Sequence, residues 1–441
     1  MAPAMYVLQT ETGNNIITLT EGYQSMTPMR MNSSGPRALQ LSGPLLLPLM
    51  ITMLLSACSA VAPDAGSAHT ASATALTPAT KALTAQPNAK WFKLNTEAYR
   101  GKQDDIVFVD AKSGFYVNGA GKIFKTVDGG QNWQLVLHQP GTYFRTIGFV
   151  DANTGFAGNI GTDYFPGVTD TTPLYQTKDG GVSWAPVKNL TGVAVKGLCA
   201  IDVVHSAFVN AGVLDQRTIV HAAGRVGGPA FLLRSLDGGH SWLSIDMNAH
   251  IAAITDVKFF DEMNGIVVGA DDANIGRSHA VIIATRDGGQ TWRRVYSSAR
   301  PHEIAWKQPF PSRQVGYVTV QNYDTDKTVS QRVVAKTLDG GNTWQEVPLV
   351  DDYAVRQFGI GFADEQTGWV GTSTSGFATQ NGGKSWTRVE MGKAVNKIRI
   401  VSDGQHFVGF GIGVSVYKFG TPPSGLAVTT PLPAGKAAAV Q

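Results

Sequence analysis

Cysteine is almost absent from this chain of 441 residues, which has only Cys58 and Cys199. A small domain held by disulfides is therefore excluded, and the folded part must be stabilised by burial of apolar side chains. Cys199 lies in the apolar stretch "KGLCAIDVV", where a buried, inert thiol is expected. No Cys/His cluster has metal-ligand spacing and no glycine-rich phosphate loop opens a helix, so we expect neither a metal nor a cofactor.

The chain also has little excess of charge of one sign and no long apolar run. The net charge of +3 is too small to indicate a nucleic-acid partner. The apolar run 45–55 follows Arg30 and Arg37, which is typical of an export signal and too short for a membrane span. It ends in "LSAC", which resembles a bacterial lipobox. That resemblance implies cleavage before Cys58, lipidation of its thiol and a membrane anchor on the periplasmic or lumenal side; the alternative is a cysteine that simply lies in a signal peptide.

Composition divides the chain into four parts. Residues 1–58 form an N-terminal extension with the signal peptide. Residues 59–89 are rich in Ala, Thr, Ser and Pro, which is typical of a flexible linker. Residues 90–420 contain the aromatic and β-branched runs of a folded domain, and 421–441 are expected to be a disordered tail.

The folded region contains one glycine turn six times, beginning with "KTVDGGQNW" at Lys125 and ending with "ATQNGGKSW" at Ala378. The acidic residue can accept hydrogen bonds from backbone N–H groups two or three positions further on, and two glycines permit positive φ. The tryptophan offers a surface to the neighbouring unit and an indole N–H for a hydrogen bond. The predicted structural residues are Asp128, Asp179, Asp237, Asp287, Asp339 and Asn381, with Trp133, Trp184, Trp242, Trp292, Trp344 and Trp386.

The spacing of these turns predicts the fold. Successive copies begin 42 to 58 residues apart, which suits a blade of four antiparallel strands. The segment 397–420 supplies three strands without a turn, and Trp91 in "KWFKL" supplies an outer strand without a blade. We therefore predict an all-β, seven-bladed β-propeller whose ring is closed by the N-terminal strand. The alternative is a six-bladed ring with 397–420 as a separate hairpin.

The six turns resemble the Asp-box, or BNR repeat, of sialidases, xyloglucanases, sortilin-type receptors and photosystem II stability/assembly factors. The longer pattern, seen best at 149–184 and 362–386, resembles the photosystem II stability/assembly factor family over about residues 90–420. That resemblance implies a seven-bladed propeller without enzymatic activity, exported to the lumenal or periplasmic side, which binds protein partners. A role in photosynthesis itself does not follow from it.

Glycoside hydrolysis is the alternative activity. The Arg-Ile-Pro motif of sialidases is absent from the sequence. Other glycosidases need two carboxylates across the substrate. Candidates in the expected loops are Asp163, Asp170, Asp215, Asp271, Asp272, Asp324 and Asp326. The stretches "DDANIG" and "YDTDKT" lack the spaced ligand set of a calcium site.

The expected binding surface is the face where the loops differ in length between blades. These variable loops are 159–173, 212–229, 270–280 and 321–332. Variable loops on a rigid scaffold are a usual place for binding. We predict that a monomer binds a membrane-associated protein partner through a basic rim around the axis; a mixed surface is the alternative. The candidate residues are Arg145, Lys196, Arg225, Arg277, Arg300, His302, Arg332 and Arg356.

Overall fold

The computed structural model describes residues 83–210 and 213–423. The predicted signal peptide, Cys58, most of the linker and most of the tail lie outside these residues, and the predictions made for them are untested. The regular structure of the described residues consists of β-strands. Within these two ranges there is no helix that is long and apolar enough to span a membrane.

The strands follow the repeat. Two short strands come first: β1 (Thr84–Ala85) and β2 (Lys90–Lys93). Blade 1 contains β3 (Gln103–Phe108), β4 (Gly114–Asn118), β5 (Lys122–Thr126) and β6 (Gln134–His138). Blade 2 contains β7 (Phe144–Phe149), β8 (Gly155–Asn159), β9 (Leu174–Thr177) and β10 (Ala185–Pro186). Blade 3 contains β11 (Leu190–Gly192), β12 (Ala200–Asn210), β13 (Val213–Gly224), β14 (Phe231–Ser235) and β15 (Trp242–Asp246).

The second half continues in the same order. Blade 4 contains β16 (Ala253–Phe259), β17 (Gly265–Ala270), β18 (Ala280–Thr285) and β19 (Arg293–Ser297). Blade 5 contains β20 (Glu303–Ala305), β21 (Gly316–Asn322), β22 (Gln331–Thr337) and β23 (Gln345–Asp351). Blade 6 contains β24 (Gln357–Phe362), β25 (Gly368–Thr372), β26 (Gly376–Thr379) and β27 (Thr387–Val389). Blade 7 contains β28 (Lys397–Ser402), β29 (His406–Ile412) and β30 (Val416–Gly420), together with β1 and β2.

The seven sheets form a ring around an axis. The innermost strands of the seven blades are β3, β7, β12, β16, β20, β24 and β28. They follow one another around the axis, with β28 of blade 7 beside β3 of blade 1, and β11 is the outermost strand of blade 3. Apolar side chains of adjacent blades share the core clusters, as Phe115 of blade 1 and Phe149 of blade 2 do. The predicted seven-bladed propeller is confirmed, and the six-bladed alternative is wrong because β28, β29 and β30 belong to a seventh sheet.

The N-terminal strands lie in the sheet of the last blade. β2 pairs antiparallel with β30, with Lys90 opposite Gly420. β1 pairs parallel with the first residues of β29, and the Gln86 side chain donates to Asp403 and accepts from the backbone N–H of Thr421. The described propeller therefore begins at β1, a few residues before the predicted boundary at 90, because Gln86 fastens this segment to blade 7.

Blade 3 differs from the prediction. The segment 212–229 was expected to be a loop, but Val213–Gly224 is the second strand of the blade and pairs with β12 over its whole length. Only its last residues, from Val220, pair with β14. The two strands therefore continue past the sheet as a two-stranded extension. Asp215 belongs to this extension, at the end of the blade opposite to the variable loops.

Each glycine turn is held by local hydrogen bonds. In the turn of blade 5, Asp339 Oδ1 accepts from the backbone N–H groups of Asn342 and Thr343 at 3.0 and 2.9 Å, and Oδ2 accepts from the Thr343 hydroxyl at 2.6 Å. The Thr337 hydroxyl donates to Asp339 and accepts from the N–H of Gly341. The acidic residue thus reaches a backbone donor three or four positions on, slightly further than predicted. Asn381 makes the same contact with the N–H of Ser385 in the sixth turn.

The glycines of the turns also join neighbouring blades. Gly181 has φ of +85°, and a Cβ there would lie 2.5 Å from the Phe115 ring of the preceding blade. In five turns the carbonyl of the first glycine accepts a hydrogen bond from a cation of the preceding blade. These pairs are Lys418 with Gly129, Lys125 with Gly180, Arg234 with Gly288, Arg286 with Gly340, and Lys336 with Gly382.

The turn tryptophans pack as predicted but differ in their hydrogen bonds. Trp242 makes an edge contact with Phe156 of the preceding blade, and Trp184 lies in a core cluster with Phe115 of blade 1. Among the described residues, the indole N–H groups of Trp242 and Trp344 donate to carbonyls within their own turns. Those of the other four turn tryptophans have no partner, so packing of the ring is the shared contribution.

We expect the carboxylates of the glycine turns to make the stability of the ring sensitive to acid. Burial opposes ionisation of Asp339, but hydrogen bonds from Thr343 and Thr337 outweigh it and lower its pKa to about 2. Because the folded pKa lies below the ordinary value of 3.8, this stabilisation is present above about pH 4 and is lost as the pH falls toward 2. We expect Asp339→Ala to lower the free energy of unfolding at pH 7 by about 1 kcal/mol in urea titrations.

The matched control for this prediction is Asp339→Asn, which keeps an acceptor oxygen as Asn381 does. We expect it to lose less stability at pH 7 than Asp339→Ala and to depend less on pH than the wild type between pH 4 and 2. Equal acid sensitivity of the wild type and Asp339→Asn would contradict this role of the carboxylate.

Candidate binding site at the propeller axis

Polar side chains gather at one end of the axis, on the face where the inner strands begin. We call this face the loop face because the variable loops open on it; the opposite face, which carries the six glycine turns, is the turn face. Four inner strands have a register shift near this end, at 103–105, 144–146, 254–256 and 357–360. Such a bulge inserts an extra residue and redirects a side chain.

Side chains of distant blades meet at this end of the axis. Asp104 from blade 1 forms an ion pair with Arg145 from blade 2. The Arg145 guanidinium lies 5.3 Å from the ring centroid of Trp306 in blade 5. The Trp306 indole donates to Asn396 Oδ1 at 2.9 Å, and the Asn396 amide donates to the Asp104 carbonyl at 2.9 Å. Lys102 lies at the rim, with its Nζ 3.6 Å from Asp104 and 5.9 Å from the Trp306 ring.

A second polar layer lies beside this group. Lys397 Nζ is 3.2 Å from Asp256 Oδ1, which joins blade 7 to blade 4. Lys307 Nζ donates to the Thr255 carbonyl at 2.6 Å. These lysines and Asp256 are buried. We use the name cup for this cluster of residues at the end of the axis. Lys102 keeps 26% of its side chain exposed and forms the rim of the cluster, whereas Asp104, Arg145, Trp306 and Asn396 are buried.

The cup has an excess of positive charge, with five cations against three carboxylates. The cations are Lys102, Arg145, Lys307, Lys397 and Arg399, and the carboxylates are Asp104, Asp105 and Asp256. Burial, reinforced by Arg145, lowers the pKa of Lys102 to about 7. Burial, reinforced by Lys397, lowers the pKa of Lys307 to about 7. A bound anion would restore the charge of both lysines, since an opposite charge favours the charged form.

Two of the predicted rim residues are structural. Arg225 is buried and donates to the carbonyls of Gly228 and Thr162 at 2.8 and 2.7 Å. Arg332 is buried and donates to the carbonyls of Val355 and Tyr353, both at 2.7 Å. Both guanidiniums therefore hold loops of adjacent blades together. These four carbonyls lie in connections between strands, where the guanidinium supplies the donor that a neighbouring strand does not.

Most of the other rim residues are paired with local acids. Arg300 Nε is 2.7 Å from Glu303, Arg277 is 3.0 Å from Asp272, and Lys196 is 3.4 Å from Asp163. Arg356 lies 4.3 Å from the Tyr323 ring, and His302, with φ of +63°, accepts the Tyr323 N–H on its carbonyl. Of the eight predicted residues, the structure brings Arg145 into the cup. A binding role for the remaining exposed residues stays a prediction.

The acidic loop residues are engaged locally as well. Asp170 accepts from the Tyr175 hydroxyl at 2.7 Å and from Thr142, and Asp271 accepts from the His279 N–H. The Asp324 carboxylate accepts from the backbone N–H of Asp326, and the Asp326 carboxylate accepts from the backbone N–H of Thr328. Within the described residues, no group of His, Cys, Asp and Glu could hold a metal ion. Cys199 is buried, as predicted.

Sequence reasoning missed most of the cup. Lys102, Asp104 and Asn396 lie at or next to the start of an inner strand, whereas Trp306 and Lys307 directly follow the short inner strand β20. The available signal was polar and charged residues next to the short apolar stretches of inner strands, in "KQDDIVF", "AWKQP" and "VNKIRI". That signal gives candidates for the axis but does not show which of them meet.

Neither a protein-family model nor a curated protein matches the chain. Solved structures do. "YCF48 bound to D1 peptide" is 17% identical, with a TM-score of 0.50, and the match covers 77% of this chain and 98% of that one. YCF48 from Cyanidioschyzon merolae is 16% identical, with a TM-score of 0.52, and the match covers 75% and 98%. A GH74 enzyme from Niastella koreensis is 13% identical, with a TM-score of 0.42, covering 70% and 62%.

At these identities the comparisons establish the fold, since one propeller architecture serves many functions. The two YCF48 structures therefore support the propeller fold that the sequence pattern predicts. The chain is a seven-bladed β-propeller of the same fold as YCF48.

Proposed function

We propose that this chain is an exported, lipid-anchored, non-catalytic assembly factor that binds a protein partner on its loop face. The observation that supports this most is the cup, where two lysines and an arginine lie beside Trp306 with an excess of positive charge. Such a site suits a carboxylate-bearing peptide segment, because cations and aromatic faces recognise it together. The YCF48 structure with a bound D1 peptide supports peptide binding by this fold.

Peptide binding at the cup should depend on pH. Lys102 and Lys307, whose pKa values are about 7, are protonated at pH 6 and lose protons above pH 7. We expect a Glu-rich peptide to bind the full chain at least tenfold more tightly at pH 6 than its Gln counterpart. Between pH 6 and 8.5 its Kd should rise, by up to tenfold per pH unit for each lysine that must be reprotonated. Fluorescence anisotropy of labelled peptides measures the affinities of the two peptides and the change of Kd with pH.

The control separates the cup from the general charge of the loop face. Lys102→Gln should weaken the Glu-rich peptide about tenfold and flatten the pH profile. Lys196→Gln removes an equal charge on the same face outside the cup. It should leave the affinity for the Glu-rich peptide and the pH profile of binding unchanged. Equal affinity for the Glu-rich peptide and its Gln counterpart would refute the assignment of binding to the cup. An equal loss of affinity in Lys102→Gln and Lys196→Gln would refute it as well.

Glycoside hydrolysis is tested directly. We expect the purified full chain to release no product from a sialoside or a β-glucan, because the cup carboxylates Asp104 and Asp256 are paired with Arg145 and Lys397. Hydrolysis that is abolished by a single loop-face Asp→Asn change would establish the enzymatic alternative instead.

A further inference from the structure

The exposed apolar side chains of the ring are unevenly distributed between its faces. Ten large apolar residues are exposed among the described residues. Six of them lie on the turn face: Leu83, Val127, Val182, Leu236, Met263 and Leu338. Two lie on outer strands, and two lie in connections toward the loop face. Val127, Val182 and Leu338, which are 66, 74 and 60% exposed, all belong to glycine turns.

Both ends of the described propeller lie on this same face. Thr84 pairs with His406 at the start of β29, and Gly420, the last residue of β30, pairs with Lys90. Thr421 donates its hydroxyl to the Pro87 carbonyl. The chain that leads back to Cys58 therefore joins the ring at the turn face. The segment from Cys58 to Leu83 can span at most about 3.5 Å per residue, which is long enough for either face to lie on a membrane, so the choice of face depends on the surface of the ring itself.

We propose that the turn face rests on the lipid bilayer to which the chain is anchored, with the cup pointing away from it. This inference goes beyond the proposed function and rests on the anchor that is part of it. Separate exposed apolar residues are ordinary on a monomer. Here they share one face with the tether, and transfer of apolar surface from water into the interfacial region is favourable.

The polar groups of this face are compatible with a zwitterionic surface. The carboxylates of its turns accept local hydrogen bonds, as Asp128 does from Asn132 and Asp151 does from Thr154. The two-stranded extension of blade 3 leaves the ring on this face as well, and the sequence from 206 to 214 contains no charged residue. The glycine turns place Asp128, Asp179, Asp237, Asp287 and Asp339 on this face, while the cations beside the turns donate to glycine carbonyls. An anionic lipid would repel these carboxylates, so phosphatidylcholine is the lipid chosen for the test.

Fluorescence quenching tests this orientation. Single cysteines are placed in the lipidated full chain at Val127, Val182 or Leu338, with Val414→Cys on the loop face and Leu243→Cys on an outer strand as controls. Each is labelled with bimane and the protein is bound to phosphatidylcholine vesicles that contain nitroxide-labelled lipid. Cys199 is buried and does not compete for the label. We expect at least twofold stronger quenching at the three turn-face positions than at the controls.

Three results would overturn the proposal: equal quenching at all positions, stronger quenching at Val414→Cys, or a protein that does not bind vesicles at all. A blue shift of the turn-face labels in solution that grows with protein concentration would also overturn it, and would assign the face to a second copy of the chain. A variant with Val127→Glu, Val182→Glu and Leu338→Glu should show at least twofold weaker quenching of a label at Leu236→Cys. Peptide binding at the cup is measured separately in solution, so its failure is distinguishable from failure of this orientation.

Discussion

Replacing Arg145 by methionine should lower the free energy of unfolding by about 3 kcal/mol, because it leaves the buried Asp104 carboxylate without its main partner. We expect the lower part of the usual range of about 3–5 kcal/mol, since Lys102 remains 3.6 Å from the same carboxylate. Urea denaturation of the full chain at pH 6, where Lys102 is protonated, measures the change.

Two further variants identify the cause. Arg277→Met removes an exposed cation from its pair with Asp272 and should cost less than about 1 kcal/mol. The double variant Asp104→Leu/Arg145→Met removes both charges and should recover most of the stability that Arg145→Met loses. If Arg145→Met cost no more than Arg277→Met, Arg145 would behave as the exposed rim residue that the sequence had suggested.

Removing β2 should have the largest effect on the ring. A chain that begins at Asn95 leaves blade 7 without its outer strand, and exposes Trp369 and Phe419, whose rings lie 5.9 and 5.6 Å from the Trp91 ring. Loss of Trp91 alone, as Trp91→Ala, should cost about 3–5 kcal/mol because its side chain is buried. Loss of the whole strand should exceed this and prevent cooperative folding.

The matched truncation begins at Leu83 and retains β1, β2 and the contacts of Gln86 with Asp403 and Thr421. Its melting temperature should equal that of the full chain, because the residues removed are the predicted N-terminal extension with the signal peptide and most of the predicted linker, and none of the strands of the ring. Calorimetry compares the chains directly. Equal melting temperatures for the chains that begin at Leu83 and Asn95 would show that β2 is dispensable for the stability of the ring.

The blade count and the six glycine turns can be predicted from the repeat in the sequence. The turn is a local structure: its acceptor and donors, such as Asp339 and Thr343, are at most four residues apart, and the two glycines supply the positive φ that it needs. Since the same local structure recurs at intervals that suit four strands, the propeller follows from the repeat. The positions of the variable loops are predicted as well, except in blade 3, where the structure has the strand Val213–Gly224 in place of the predicted loop.

The cup was decided by the tertiary structure alone. Asp104 and Asn396 are 292 residues apart in the sequence, and they meet because ring closure places blade 7 beside blade 1. Trp306 reaches Asn396 across the axis, a contact for which no local pattern exists. Burial likewise separated arginines that look alike in the sequence: Arg225 and Arg332 bind backbone carbonyls, whereas Arg145 enters the cup. Whether a cation is exposed or enclosed depends on how the blades pack around it, and a repeat pattern contains no information about that.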